Sequence, residues 1–406
     1  MIKGNATTPR VYSWKRTETP GQIDRVNEIK GDVTLNQDKL YEVGRTLKLG
    51  IHKLTPDTPI TINQNEYLTM KFWRELAGLN DPDSGDDHDV TLEDLKDAVT
   101  DISASLTDDS GAFEGTVYFA KMRLGGFTID VGDPDAKITR NFSLVGEYCK
   151  IIVDNYLAYA TATAVGDGIQ TIALDPAPIE TTIFRVLRIR AGVVSELVED
   201  SSSPYADNTY RLDSSNVIIQ TGLTGDIHKV FYPSATAYTT LWTDNDSDPE
   251  ASYADQCEIY LQVGTEDDAK VYRLQSVNID VALERDDKGE IGNTEKVQYG
   301  VKTKTVTVKL GRLLETFTLE QILADQSGIS DSKIIDVRDF VDTVTLRVKF
   351  YTDNTKATFA FGYKVTGLSA ESLSPLSAQP EEYNPADDSM TSDNFLVSDD
   401  ETEVDA

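Results

Sequence analysis

YRLQSVNIDVALERDDKGEIGN, residues 272–293, opens as a strand and closes as a charged turn. Val277, Ile279, Val281 and Leu283 alternate with Asn278, Asp280 and Ala282, the period of two of a half-buried β-strand. The chain then becomes densely charged and ends on Glu290-Ile291-Gly292. A near copy lies earlier. Residues 25–46, RVNEIKGDVTLNQDKLYEVGRT, align without a gap with 273–294, RLQSVNIDVALERDDKGEIGNT. Eight positions are identical: Arg25/Arg273, Asp32/Asp280, Val33/Val281, Leu35/Leu283, Asp38/Asp286, Glu42/Glu290, Gly44/Gly292 and Thr46/Thr294. Average composition gives roughly one or two by chance. The stretch therefore reads as a repeated building element.

The surroundings of the two copies agree in order. Each is followed by an alternating strand, TPITINQ (58–64) and KTVTVKL (304–310), then by a mixed apolar stretch, 68–78 and 313–325. Further on, GFTIDV (126–131) and ITRNFSLVG (138–146) form a hairpin pattern, matched by TVTLRVKF (343–350) and ATFAFGYKVTG (357–367). Asp, Asn, Gly and Pro between them supply the turns. Val90, Leu92, Leu95, Val99, Ile102 and Leu106 recur at helical spacing behind Thr91, which predicts one helix across them. Residues 161–250 fit neither copy and read as a small inserted β-domain. The acidic segment 374–406, with scattered Pro and Ser, reads as an irregular tail in which Phe395, Leu396 and Val397 are candidates to dock on a neighbour. The expected fold is mainly β with minor α: two duplicated β-sandwich or barrel domains at 1–160 and 251–370, the insert, and the tail at 371–406.

Composition narrows the function. The net charge of −31 disfavours any surface that reads DNA phosphates or binds anionic membranes. No stretch approaches the ~18 apolar residues of a membrane helix, and the opening residues lack the apolar core of a secretory signal. Cys149 and Cys257 stand far apart in apolar contexts, as buried free thiols do. His52, His88 and His228 show no metal-ligand spacing, so neither a zinc site nor a histidine triad is expected. With 69 acidic residues, a carboxylate pair carries no catalytic specificity, and no nucleophile elbow or phosphate loop occurs. The acidic clusters 80–89 and 244–255 miss the glycine register of a calcium loop and fit solvated turns better. No catalytic residue, cofactor or resident metal is expected.

What the alternation does offer is a two-faced strand. Ile29, Val33 and Leu35, like Val277, Ile279, Val281 and Leu283, belong in a core, while Lys30, Asp32, Asn36, Asn278, Asp280 and Glu284 share the other face. Duplicated units suit pseudo-symmetric assemblies.

Leu274-Gln275-Ser276-Val277, Ile279, Val281 and Glu290-Ile291-Gly292-Asn293 resemble the tail tube (major tail) proteins of long-tailed phages and tailed archaeal viruses. The earlier copy matches at Val33, Leu35, Glu42, Val43 and Gly44 but carries Asn27-Glu28 and Arg45 where the pattern has Gln-Ser and Asn. The resemblance spans 25–150 and 255–370. It implies a virion structural protein, not an enzyme, assembled in the host cytoplasm into the virion tail. Its two tube domains per chain imply a trimeric, pseudo-hexameric ring that stacks into a tube. The partners would be copies of itself, other tail proteins, and viral DNA passing through without specific binding, with no membrane. Asp32, Asn36, Asn278, Asp280 and Glu284 would then face the lumen, and Asp38, Glu42, Gly44, Asp286, Glu290 and Gly292 would form contact loops between subunits or rings. Two other readings stay open: another virion ring component of neck or baseplate, and a carbohydrate-binding β-sandwich with Tyr205, Tyr210, Tyr232 and Tyr238 as its platform.

Overall fold

The computed structural model describes residues 10–15, 21–23, 26–34, 37–40, 50–53, 58–66, 70–77, 89–107, 112–132, 135–146, 148–179, 182–191, 193–200, 208–237, 252–263, 269–270, 274–286, 288–289, 296–298, 300–313, 323, 344–372 and 385–406. The fold is mainly β with minor α. Two compact units interleave along the chain. One comprises Met1–Asp24, Val99–Met122 and Glu147–Asp244, and the other comprises Arg25–Ala98, Arg123–Gly146 and Asn245–Ala406. The consecutive blocks read from the sequence differ from these units, because each unit pairs strands drawn from distant stretches.

The second unit is built on eight strands: β1 (Val26–Gly31), β2 (Ile60–Asn65), the later part of β3 (Phe113–Val131), β4 (Thr139–Val145), β5 (Leu274–Arg285), β6 (Val301–Leu313), β7 (Phe359–Ser372) and β8 (Pro385–Ser392). They pair antiparallel in the order β1-β2-β4-β3-β5-β6-β8-β7. The order of the first four is repeated by the last four. So is the register. Val26↔Gln64, Glu28↔Asn63 and Ile29↔Ile62 in β1/β2 match Leu274↔Arg312, Ser276↔Gly311 and Val277↔Leu310 in β5/β6 at the 25-to-273 offset of the sequence repeat. Asn27 and Gln275 are extra residues at the same bulge. In β4/β3, Ser143↔Gly126, Leu144↔Leu124 and Val145↔Arg123 match Ser389↔Ser372, Met390↔Ala370 and Thr391↔Ser369 in β8/β7. There the extra residues are Gly125 and Glu371.

Three expectations change. The hairpin that answers to β3 and β4 is β7 and β8 by register, not 343–350 with 357–367. Those residues do form a hairpin, Val344–Tyr351 against the first part of β7. It belongs to a second layer with Cys257–Val263 on one side and Leu396–Ser398 on the other. Secondly, 374–406 is not irregular where it is described. It supplies β8, Leu396–Ser398 and helix Glu401–Asp405, because Met390, Phe395, Val397 and Val404 punctuate the acidic run and all four are buried. Phe395 and Val397 thus pack in their own chain rather than on a neighbour. The carbonyls of Val404 and Asp405 accept hydrogen bonds from Arg347 at 2.6 and 2.9 Å, closing that helix.

Thirdly, the helix expected across Val90–Leu106 is only Leu92–Asp97. Thr91 and Asp94 form its capping box, with the Asp94 N–H donating to Thr91 Oγ1 at 3.3 Å and the Thr91 N–H donating to Asp94 Oδ2 at 2.9 Å. Ala98 leaves helical geometry at ψ 137°, and Val99–Thr107 is a strand. Val99, Thr100, Ile102 and Thr107 are β-branched and prefer the pleat.

The apolar sheet face packs on helix Lys71–Ala77. Its Trp73 ring lies 5.0 Å from Phe127, 5.3 Å from Phe142 and 5.8 Å from Tyr363. Beside it Arg140 is fully buried, paired with Glu66 and donating to Gln64 Oε1 at 3.0 Å, while the Tyr363 hydroxyl donates to Glu66. The guanidinium also lies over the Phe72 ring at 4.9 Å.

In the other unit, Arg10–Lys15 lies between Gly21–Ile23 and Val99–Thr107, and the early part of β3 pairs with Tyr148–Val153. Residues 156–234 contribute a seven-stranded sheet in the order Tyr156–Thr163, Ile227–Ser234, Arg185–Arg190, Val193–Glu199, Thr209–Asp213, Asn216–Gly222, Gly168–Ala173. Its core joins Val186, Leu197, Val217, Ile219 and Val230 to Tyr210 and Tyr232. Arg185, fully buried, donates to both oxygens of Asp101 at 2.9 and 2.7 Å, and the Tyr118 hydroxyl donates to the same carboxylate at 2.8 Å. Cys149 and Cys257 are free thiols, half-buried and buried respectively.

His228 sits in this core at 0% exposure, and neither ring nitrogen has a hydrogen-bond partner among the described residues. Burial lowers its pKa from 6.5; Asp226 opposes that shift, and Arg188 and Arg190 add to it. The unfolded chain then takes up a proton below pH 6.5 before the folded chain does, so the stability this group contributes is whole above 6.5 and lost as pH falls from there. The melting temperature should drop between pH 7 and 5, and His228→Leu should flatten that acid limb in a thermal-shift series. An unchanged slope would rule out His228 as its source.

Candidate functional site

The candidate site is the polar face of the eight-stranded sheet and the edges that bound it. Alternation places Ile60, Ile62, Phe142, Ile129, Val277, Ile279, Val306 and Val308 in the core. It turns Thr61, Asn63, Asn141, Ser143, Thr128, Asp130, Asn278, Asp280, Thr305 and Thr307 to the other side, where they are half-buried or exposed. Apart from Lys309 and, at the edge, Lys30 opposite Thr61, the positions described on this face carry hydroxyls, amides and carboxylates.

Asp280 lies opposite Thr128 of β3 on one side and Thr307 of β6 on the other, half-buried. Asn278 lies opposite Asp130 and donates its amide to that carboxylate. The bulged Asn27 reaches the same face, its Nδ2 donating to Asn63 Oδ1 at 3.1 Å and Asn65 Oδ1 at 2.9 Å. Glu284 is exposed. The ammonium of Lys302 at 3.0 Å and the Thr303 hydroxyl at 2.8 Å hold its carboxyl below the ordinary range. Asp32 is exposed just past β1, where its N–H donates to the Pro59 carbonyl at 3.0 Å. Asp32 and Asp280 occupy matching positions of the two copies, Asp32 just past β1 and Asp280 on β5, with three strands between β1 and β5.

The expected contact loops are partly described. Asp38 is on strand Gln37–Leu40, opposite His52 of Gly50–Lys53. Asp286 is exposed, ion-paired with Lys288 at 2.6 Å, and its N–H donates to the Gly300 carbonyl at 3.0 Å. Leu40↔Gly50 and Lys288↔Gln298 again share the repeat offset, so each long hairpin carries a short two-stranded extension at its tip. Leu35, Asn36, Glu42, Gly44, Glu290 and Gly292 lie outside the described residues, as do the acidic stretches 80–88 and 244–251.

One core assignment fails. Val33 is 45% exposed, whereas its match Val281 is 1% exposed, because β3 covers β5 while among the described residues β1 pairs only with β2. The sugar platform fails in part as well: Tyr210 and Tyr232 are buried in the insert core, and Tyr205 and Tyr238 lie outside the described residues. Asn63, Asn141, Thr128 and Asp130 were not singled out from the sequence, although the alternation in TPITINQ, GFTIDV and ITRNFSLVG carries them. Among the described residues no cluster of His, Cys, Asp and Glu has metal-site geometry, and no helix is long and apolar enough to cross a membrane.

No family model and no curated relative matches the chain. Among solved structures, a chain of the anti-feeding prophage baseplate, imaged by cryo-electron microscopy with six-fold symmetrisation, is similar over 37% of this chain and 97% of its own. The identity is 13% and the TM-score 0.27, a likeness too low to carry an argument about function.

The joint between the two halves of the sheet depends on Gly126. A Cβ there would meet the Val281 carbonyl oxygen at 2.4 Å, and that oxygen belongs to backbone. Gly126→Ala should therefore destabilise the fold by about 1–3 kcal/mol. Gly132→Ala, which meets nothing within 4 Å, is the control. Equal denaturation midpoints for the two variants would contradict the tight joint.

Proposed function

We propose that this chain is a virion structural protein, the subunit of a tail tube, whose copies close into rings that stack around a passage for viral DNA. The observation that carries the reading is the eight-stranded antiparallel sheet that repeats its own strand order, register and bulges while presenting a polar, cation-poor face. A duplication explains that coincidence. Two sheet modules per chain let three chains present six equivalent modules, the trimeric pseudo-hexameric ring of the resemblance. Asp32, Asp130, Asp280 and Glu284 then line the bore or its rim. Carboxylates and neutral amides repel or ignore a phosphate backbone, so DNA slides instead of adsorbing. The two-stranded extensions, 37–40 with 50–53 and 288–289 with 296–298, would then reach adjacent subunits or rings. Within this role the protein carries no catalysis, cofactor or resident metal.

Negative-stain microscopy of the purified chain is the direct test. Rings or tubes with a central hole are expected, and they should fail to retain duplex DNA in a filter assay at low salt. Discs that never stack would fit a neck or baseplate ring instead. Dispersed monomers at high concentration, or tight DNA retention, would sink the tube reading.

A further inference from the structure

We infer that copies join by edge pairing between β1 of one chain and the end of β7 of the next, an antiparallel joint that reuses the contact between β3 and β5. This deepens the assembly reading above and rests on it. Within one chain, the last strand of the first four-strand set, β3, pairs with the first strand of the second set, β5, through Val131↔Val277, Ile129↔Ile279, Phe127↔Val281 and Gly126↔Ala282. By register β7 is the counterpart of β3, and β1 is the counterpart of β5. Among the described residues, the β1 ladder runs only to β2, and Ser369, Ala370 and Ser372 pair only with β8. The same joint therefore has one first strand and one last strand to be made from, and they belong to different copies. It is a head-to-tail contact, which generates rings when the rotation closes.

The side chains agree. Val277 and Val281 are each 1% exposed under β3, whereas their matches Ile29 and Val33 are half-buried and 45% exposed. An apolar row patterned for a core position is left open on an edge strand, the kind of edge that invites pairing. Carrying the register across puts Thr34 opposite Ser372, where Ala282 faces Gly126 in the chain. Ser372 carries the Cβ that Gly126 lacks, so the close approach of Gly126 to the Val281 carbonyl is not reproduced at this pair and the joint between copies is the looser of the two.

The test mixes two single variants, Thr34→Cys and Ser372→Cys, before assembly, then applies oxidation or a short bismaleimide. A covalent dimer holding one chain of each kind is expected, with no such dimer from either variant alone beyond what the parent cysteines give. Val33→Lys should keep the parental melting temperature, because the side chain is exposed, and abolish assembly. Rings that form without the mixed crosslink, dimers from Thr34→Cys alone above the level of the parent chain, or rings that survive Val33→Lys overturn this joint and leave the tube reading standing. A parent chain that remains monomeric overturns both.

Discussion

Register is the constraint on which the second unit depends. A strand of period two exchanges its faces when it slips by one residue, so each ladder has to be fixed against slippage. Four of the ladders carry a fixing device, an extra residue at Asn27 in β1, Gly125 in β3, Gln275 in β5 and Glu371 in β7, and the β5/β6 ladder shifts once more between Glu284 and Arg285. Each bulge twists its strand and lets alternation resume in phase with the core. With the phase set, Ile62 and Leu310 stay buried while Asp130, Asn278 and Asp280 stay outside. The buried Arg140–Glu66 pair follows from the same phase, because β4 has to present Arg140 inward beside Gln64 of β2. A buried charge pair tolerates misplacement poorly, so it reinforces the alignment that created it.

Much of this was legible where the pattern is local. The alternation of 274–283 and of 58–64 reads directly as strands, and the Thr91–Asp94 cap reads as a helix start. The repeat at 25–46 and 273–294 leads to two hairpins whose pairings agree residue for residue. The failures are non-local. Val99 to Leu106 satisfies both a helical and a pleated spacing, and β-branching decides in favour of the strand only once a neighbour is present. The β8 segment looked irregular because its acidic composition hides one alternating row around Met390, and Asp388 beside it is buried although charged. Val33 has the sequence of a core residue and the exposure of a surface one, since pattern reports what a strand is built to cover and not whether the cover is in the same chain.

The charge of the molecule acts at two scales. At long range, a net −31 sets a field that keeps polyanions at a distance. At short range, cations are spent locally: Lys302 on Glu284, Lys288 on Asp286, and Lys349 on Glu401 and Asp405. The polar sheet face is left mostly with amides, hydroxyls and a few carboxylates, with Lys30 and Lys309 as its exposed cations, Lys30 ion-paired with Glu28.

The position of β8 in the chain has a consequence for biosynthesis. Strands β6 and β7 leave the ribosome before β8, which must lie between them. During that interval both carry open backbone groups facing a gap one strand wide, and a nascent chain nearby offers the same strand. The chain's own β8 follows β7 on the same polypeptide and so reaches the gap at a far higher effective concentration than a neighbour's copy does. Closure of the gap by the late strand therefore acts as a timing device, in which a subunit completes its own sheet before its edges meet those of another.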